Sequence, residues 1–262
     1  MQKAASLLFR LTHPAAPGPS YLFGTMHVRD ARAFGQLERV HAALDECAAF
    51  AAEFDLHEAD AAADPEALYL PDGQTLHDYL NPNQYQRLQR ILARAFGLPL
   101  DHYVRLRPML IANLIGERIL AHQHGDSLDA HLHERAITAK KMIYGLESYA
   151  EQQALLERLS IESQLKSLIA IGRNPARFRK QTQTLADRYA AGELRGLYQN
   201  TRRGTGALRT ALIFERNRRM ADRFHEVALK QTLFAAVGAA HLPGGKGVLR
   251  LLKHAGWRVR AV

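Results

Sequence analysis

Two short segments of the chain place a histidine three residues after a glycine: Gly24-Thr25-Met26-His27 and Gly238-Ala239-Ala240-His241. Each continues an apolar, strand-like run, Tyr21-Leu22-Phe23 in the first case and Leu233 to Val237 in the second. Two further runs end in a carboxylate: Cys47 to Ala52 leads to Glu53, and Met142 to Leu146 leads to Glu147. In open α/β sheets, ligands bind outside the carboxyl ends of the strands. Four such strands lying side by side and parallel would therefore aim His27, Glu53, Glu147 and His241 into one crevice. Two imidazoles and a carboxylate, here His27, His241 and Glu53, form a common shell for a catalytic divalent cation, with positions left open for water and substrate. Such a cation lowers the pKa of its water and polarises a carbonyl, which is the chemistry of amide or ester hydrolysis. The second glutamate is then the general acid or base, and a metal-free His/Glu pair is the alternative.

The glycines have a role of their own. Gly24 and Gly238 leave room for positive φ or for close backbone approach just ahead of each histidine. Gly244, Gly245 and Gly247 precede the last helix and would let backbone N–H groups face a substrate anion or oxyanion. Each residue also has a plainer reading. A single strand-end histidine is commonly a surface or hydrogen-bonded residue, Glu53 would suit a structural salt bridge, and Glu147 would suit the first turn of a following helix. Arg216 and Asn217 follow the apolar turn Leu212-Ile213-Phe214. Arg216 would clamp a carboxylate or stabilise an oxyanion, whereas periodicity alone puts it on the exposed face of a charged helix. His122, His124, His131 and His133 read as surface residues.

The elements that must position these groups have α/β character at both ends of the chain. Leu7–Leu11 and Tyr21–Thr25 form a hairpin around a turn rich in proline and glycine. A helix through Leu37, Val40, Ala43 and Leu44 leads to the strand before Glu53. At the other end come a strand from Thr232 to Val237, a glycine-rich loop, a helix from Val248 and a last strand from Trp257. The middle is mostly helical: 83–96, 106–121, 127–139, then about 150–190 with a break near Gly172–Pro175, and 208–229. The fold class is thus α/β, a mixed sheet core with parallel βαβ units at both chain ends and a large, mostly helical insertion. The chain reads as a single domain over 1–262, with its core at about 1–60, 140–148 and 230–262 and its insertion at about 75–138 and 150–229.

Composition narrows the function classes. The chain has 262 residues, 47% of them hydrophobic, and one cysteine, Cys47, which rules out an internal disulfide. Lys and Arg number 35 against 26 Asp and Glu, a formal net charge of +9. The arginines are spread over many helices without interleaved aromatics, so nucleic acid is not the expected partner. No stretch reaches the roughly 18 apolar residues of a membrane span, and no leader peptide is apparent. A cytoplasmic protein without a membrane partner is the expectation.

Four ordered blocks resemble the TraB/GumN family, the bacterial relatives of the Tiki membrane proteases. They are Tyr21-Leu22-Phe23-Gly24-Thr25-Met26-His27-Val28, Gly125-Asp126-Ser127-Leu128-Asp129 with Gly145-Leu146-Glu147-Ser148, Phe214-Glu215-Arg216-Asn217, and Val237 to Gly244 with Gly256-Trp257-Arg258-Val259. The resemblance implies a fold like that of the erythromycin esterase and ChaN group. It implies His27, Glu53, Arg216, Asn217 and His241 as the site, supported by Glu147 and Glu215, and raises Arg216 above its plainer reading. It implies a divalent metal, Mn, Co or Zn, and a peptide or small-molecule substrate. The same resemblance offers an alternative in non-catalytic binding of haem, with Tyr21 or Tyr144 as axial residue, or of a sequestered peptide. Unlike the membrane-anchored relatives, the chain is expected to have no anchor.

Overall fold

The computed structural model describes residues 6–26, 30–55, 65–120, 127–205 and 210–262. Six strands form one sheet: β1 (Leu8–Thr12), β2 (Ser20–Thr25), β3 (Ala49–Ala52), β4 (Met142–Gly145), β5 (Leu233–Gly238) and β6 (Arg258–Ala261). Their order is β4-β3-β5-β2-β1-β6. The first four in that order are mutually parallel, whereas β1 runs antiparallel to both β2 and β6. Parallel neighbours need long crossovers, and the helices supply them. Parallel strands covered on both faces read as unbroken apolar runs, and Leu233 to Val237 of β5 is almost wholly inaccessible to solvent.

The helices are α1 (Leu37–Asp45), α2 (Leu76–Tyr79), α3 (Pro82–Phe96), α4 (Pro108–Leu120), α5 (Leu128–Thr138), α6 (Tyr149–Glu157), α7 (Ile161–Arg173), α8 (Pro175–Ala190), α9 (Leu194–Thr205), α10 (Arg216–Ala228) and α11 (Val248–His254). Local chemistry sets several boundaries. Asn81 caps α3 in a reciprocal capping box with Gln84, Pro82 sits in its first turn, and Gly97 closes it in the left-handed conformation. Ser127 caps α5 and Ser160 caps α7.

By internal contacts the chain divides into two units. One comprises Met1–Ala62, His122–Gln152 and Leu185–Val262; the other comprises Ala63–Ala121 and Gln153–Thr184. The first holds the sheet, with α10 and α11 packed on it through Met220, Phe224, Leu252 and Trp257. The helices α5, α9 and α10 cluster with it. In the second, α4 and α7 pack together, and the Gln164 carboxamide oxygen on α7 accepts the Met109 N–H at 3.3 Å. Gly172 lets α7 approach α3, because a Cβ there would lie 2.7 Å from Leu88 Cδ1.

The expected βαβ units are present, but neither joins neighbours. β5 lies between β2 and β3, and β2 and β1 lie between β5 and β6. The helix expected over 208–229 is interrupted: Thr210–Glu215 is a π-helical turn and α10 starts only at Arg216. The helix 150–190 breaks a second time, ahead of the Ser160 cap. Among the described residues no helix is long and apolar enough to cross a membrane.

Candidate active site

The carboxyl ends of β4, β3, β5 and β2 stand in a row. Glu53 directly follows β3, Glu147 comes two residues after β4, and His241 comes three residues after β5. The β3–β4 ladder runs on into the site: Leu146 N–H donates to Ala52 O at 3.0 Å, and Glu147 N–H to Glu53 O at 2.7 Å. Gly145 permits the tight turn that follows, since a Cβ there would fall 2.6 Å from Glu147 O and 3.0 Å from Asp55 N. Gly24 acts by close approach rather than positive φ: its Cβ would lie 2.8 Å from Leu242 Cδ1 and 3.1 Å from Ala239 Cα. Gly238 is likewise at negative φ, −51°.

The two glutamates meet a pair of arginines from the start of α10. Glu53 Oε1 accepts the Gly238 N–H at 2.7 Å, and its Oε2 lies 2.5 Å from Arg216 Nη2. Arg216 Nε donates to Glu147 Oε2 at 2.7 Å, and Arg219 Nη2 to Glu147 Oε1 at 2.8 Å. The Glu147 side chain is completely buried, and those of Glu53 and Arg216 nearly so. Burial works against the guanidinium charge of Arg216, but attraction to Glu53 and Glu147 outweighs it and raises the Arg216 pKa. Ser148, not Glu147, caps α6, in a box with Glu151.

His241 is held from behind. Its Nδ1 lies 2.6 Å from Asn217 Oδ1, and Asn217 Nδ2 donates to Lys246 O at 2.7 Å. Because Lys246 O can only accept, the carboxamide orientation is fixed and its oxygen faces the histidine. Nδ1 must then carry the proton, which makes Nε2 the basic nitrogen, the one that binds a proton or a cation. Nε2 faces Glu53 Oε1 at 3.9 Å. An imidazole oriented through its other nitrogen and facing a carboxylate can act as a proton acceptor or as a donor to a cation. Among the described residues no group of three or more His, Cys, Asp or Glu that could hold a metal ion is found, and His27 lies outside the described residues. At the end of β2, beside Gly238, the buried Thr25 Oγ1 has no hydrogen-bond partner among the described residues.

Other sequence-derived candidates fall elsewhere. Gly244 is at φ +97° against the Tyr198 ring, and the Gly247 and Leu249 N–H groups donate to the carbonyls of Gly244 and Leu242. His133 is buried rather than on the surface; its ring meets Phe50 edge-on and its Nε2 lies 3.6 Å from Asp55 Oδ1. His131 stacks on His41, with the Nε2 atoms 3.1 Å apart. His122 and His124 lie outside the described residues. The Tyr21 hydroxyl donates to Glu46, and that of Tyr144 accepts from Gln231. Sequence reasoning did not single out Arg219.

The chain as a whole is similar to known proteins. The chain is 25% identical over 298 residues to Metalloprotease TIKI1 of Danio rerio, covering 92% of this chain and 60% of that protein. It is 26% identical to Metalloprotease TIKI2 of Danio rerio, covering 97% and 60%, and 26% identical to Metalloprotease TIKI2 of Xenopus tropicalis, covering 92% and 57%. The chain thus spans about three fifths of the length of the curated relatives it matches. No solved structure matches it. The sequence profile of the TraB/PrgY/gumN family matches residues 7–261, and the chain belongs to that family.

Proposed function

We propose that the chain is a divalent-metal-dependent hydrolase acting on a peptide bond, with an ester as the chemically related substrate. The supporting observation is the Lys246–Asn217–His241 relay, which turns a basic Nε2 toward the Glu53 carboxylate. The metalloprotease names of the relatives support the same reading. His241, Glu53 and His27 would hold the metal, and nitrogen and oxygen donors of this kind suit Mn, Co or Zn. The bound cation would supply a water of lowered pKa and polarise the scissile carbonyl. Asn217 holds the imidazole tautomer. Arg216 fixes the Glu53 carboxylate, and Glu147, clamped by two arginines, anchors Arg216. Arg216 is therefore a positioning residue, with Nε and Nη2 both engaged by carboxylates of the chain itself.

The test is metal content of the purified protein beside His241→Ala, followed by hydrolysis of quenched fluorescent peptides with Mn, Co or Zn added. About one divalent ion per chain is expected, lost in the variant together with at least about a hundredfold in hydrolysis. Full turnover by a correctly folded His241→Ala protein would overturn the proposal. Glu53→Gln separates two roles for Glu53: metal lost if it is a ligand, metal kept but turnover lost if Oε1 takes the proton of the attacking water.

A further inference from the structure

β4 ends the sheet, and among the described residues no strand pairs with its outer side. Since Leu146 N–H donates inward to Ala52 O, alternation along the strand turns the backbone N–H and C=O groups of Ile143 and Gly145 outward. Beside β4 lies a cavity of about 510 Å³, walled by residues 143–148 and by one face of α10. Glu147 forms part of that wall and is the carboxylate that anchors Arg216, so the cavity adjoins the candidate active site.

The cavity's charge is opposite to that of the chain. Asp55, Glu151, Asp222 and Glu226 line it against Arg219 and Arg223, in a protein with a formal net charge of +9. Both arginines are engaged by acids of the same lining: Arg219 by Glu147 at 2.8 Å and Glu151 at 3.4 Å, Arg223 by Glu226 at 3.2 Å. The buried Glu147 is also balanced by Arg216. Arg218 approaches Asp222 at 3.9 Å, and His133 faces Asp55 at 3.6 Å; with Arg216 and Arg218 counted, the five acids of the lining still outnumber four arginines.

An open strand edge receives an extended peptide as an added strand: main-chain hydrogen bonds give affinity and flanking side chains give specificity. The length of β4 accommodates about four residues. We infer that the substrate is an extended segment bearing lysine or arginine, which adds to the outer edge of β4 with its basic side chains toward Asp222 and Glu226. Its chain then leads to Glu53 and His241 at the carboxyl ends of the strands. This inference rests on the peptidase reading and names its substrate class.

Fluorescence anisotropy with three probes tests it: a short fluorescein-labelled peptide alternating valine and lysine, its valine–glutamate counterpart, and the lysine peptide N-methylated at alternate amides. The lysine peptide should bind. The glutamate version should bind at least about tenfold more weakly and the N-methylated one about tenfold more weakly, as lost ion pairs and hydrogen bonds require. Asp222→Asn combined with Glu226→Gln, on the exposed face of α10, should weaken the lysine peptide at least about fivefold with an unchanged thermal melt. Equal binding of the three probes, or no binding, would overturn the inference. Anisotropy needs no turnover, so the two readings separate. This binding pattern without hydrolysis removes the peptidase reading and keeps the groove; hydrolysis of the lysine and glutamate peptides at equal kcat/KM removes the groove and keeps the peptidase.

Discussion

His13 and His241 both lie just past the end of a strand, yet they serve different ends. His241 comes after β5, which runs parallel to β2 and β3, so the imidazole arrives where Glu53 and Glu147 also arrive. His13 follows β1, whose carboxyl end points the other way because β1 is antiparallel to both its neighbours. There it enters a turn: its Nδ1 accepts the Ala15 N–H at 3.1 Å, and its ring packs on Trp257 with centroids 5.1 Å apart. Strand direction, not residue type, decides which histidine meets a carboxylate. Four parallel strands bring whatever follows them to one edge, whereas an antiparallel neighbour sends its follower to the opposite edge.

The largest effect expected from breaking the parallel side is that of Arg216→Met. It leaves Glu53 and the fully buried Glu147 facing each other without the guanidinium that bridges them. Removing one partner of a buried ion pair costs about 3–5 kcal/mol, and urea denaturation would register it. An unchanged midpoint would mean that the network does not hold this edge together. Asn217→Ala comes next. It frees the His241 tautomer and should weaken metal binding about tenfold to a hundredfold, with a loss of about 1–3 kcal/mol from the unpaired groups. Titration of the metal-depleted protein with Mn, Co and Zn measures the first figure. Affinity equal to that of the unaltered protein would separate Asn217 from any ligand role of His241.

The contrast between the two sides also shows which parts of the molecule are legible in the sequence. The strand ends were readable, because each apolar run of β3, β4 and β5 gives way to a single polar residue. The place of β5 between β2 and β3 was not, since nothing local fixes which strand neighbours which. Arg216 and Asn217 entered as site residues through the family resemblance, because periodicity alone left Arg216 on an exposed helix face. The signal is nevertheless there. Asn217, Met220, Ala221, Phe224 and Ala228 make one helical stripe, all of them buried, so Asn217 is a polar residue in a core position and needs a partner. His133 is the same case on α5, buried beside Leu132 and Ala136. The π-helical turn before Arg216 left no mark that periodicity detects, although it sets the register of that stripe.

The smallest effects belong on the antiparallel side, and there the comparison is sharpest. Trp257→Phe keeps a ring against Phe224, 5.6 Å away between centroids, but loses the indole N–H donated to His225 Nδ1 at 3.0 Å. A loss of about 1 kcal/mol is expected, visible as a small drop in melting temperature. His13→Ala should cost a similar amount, about 0.5–1.5 kcal/mol, through the turn hydrogen bond and the ring contact. Neither substitution should change metal content or turnover, because neither ring lies at the carboxyl end of a parallel strand. Loss of metal in His13→Ala, with the fold intact, would show that strand direction does not separate the two histidines.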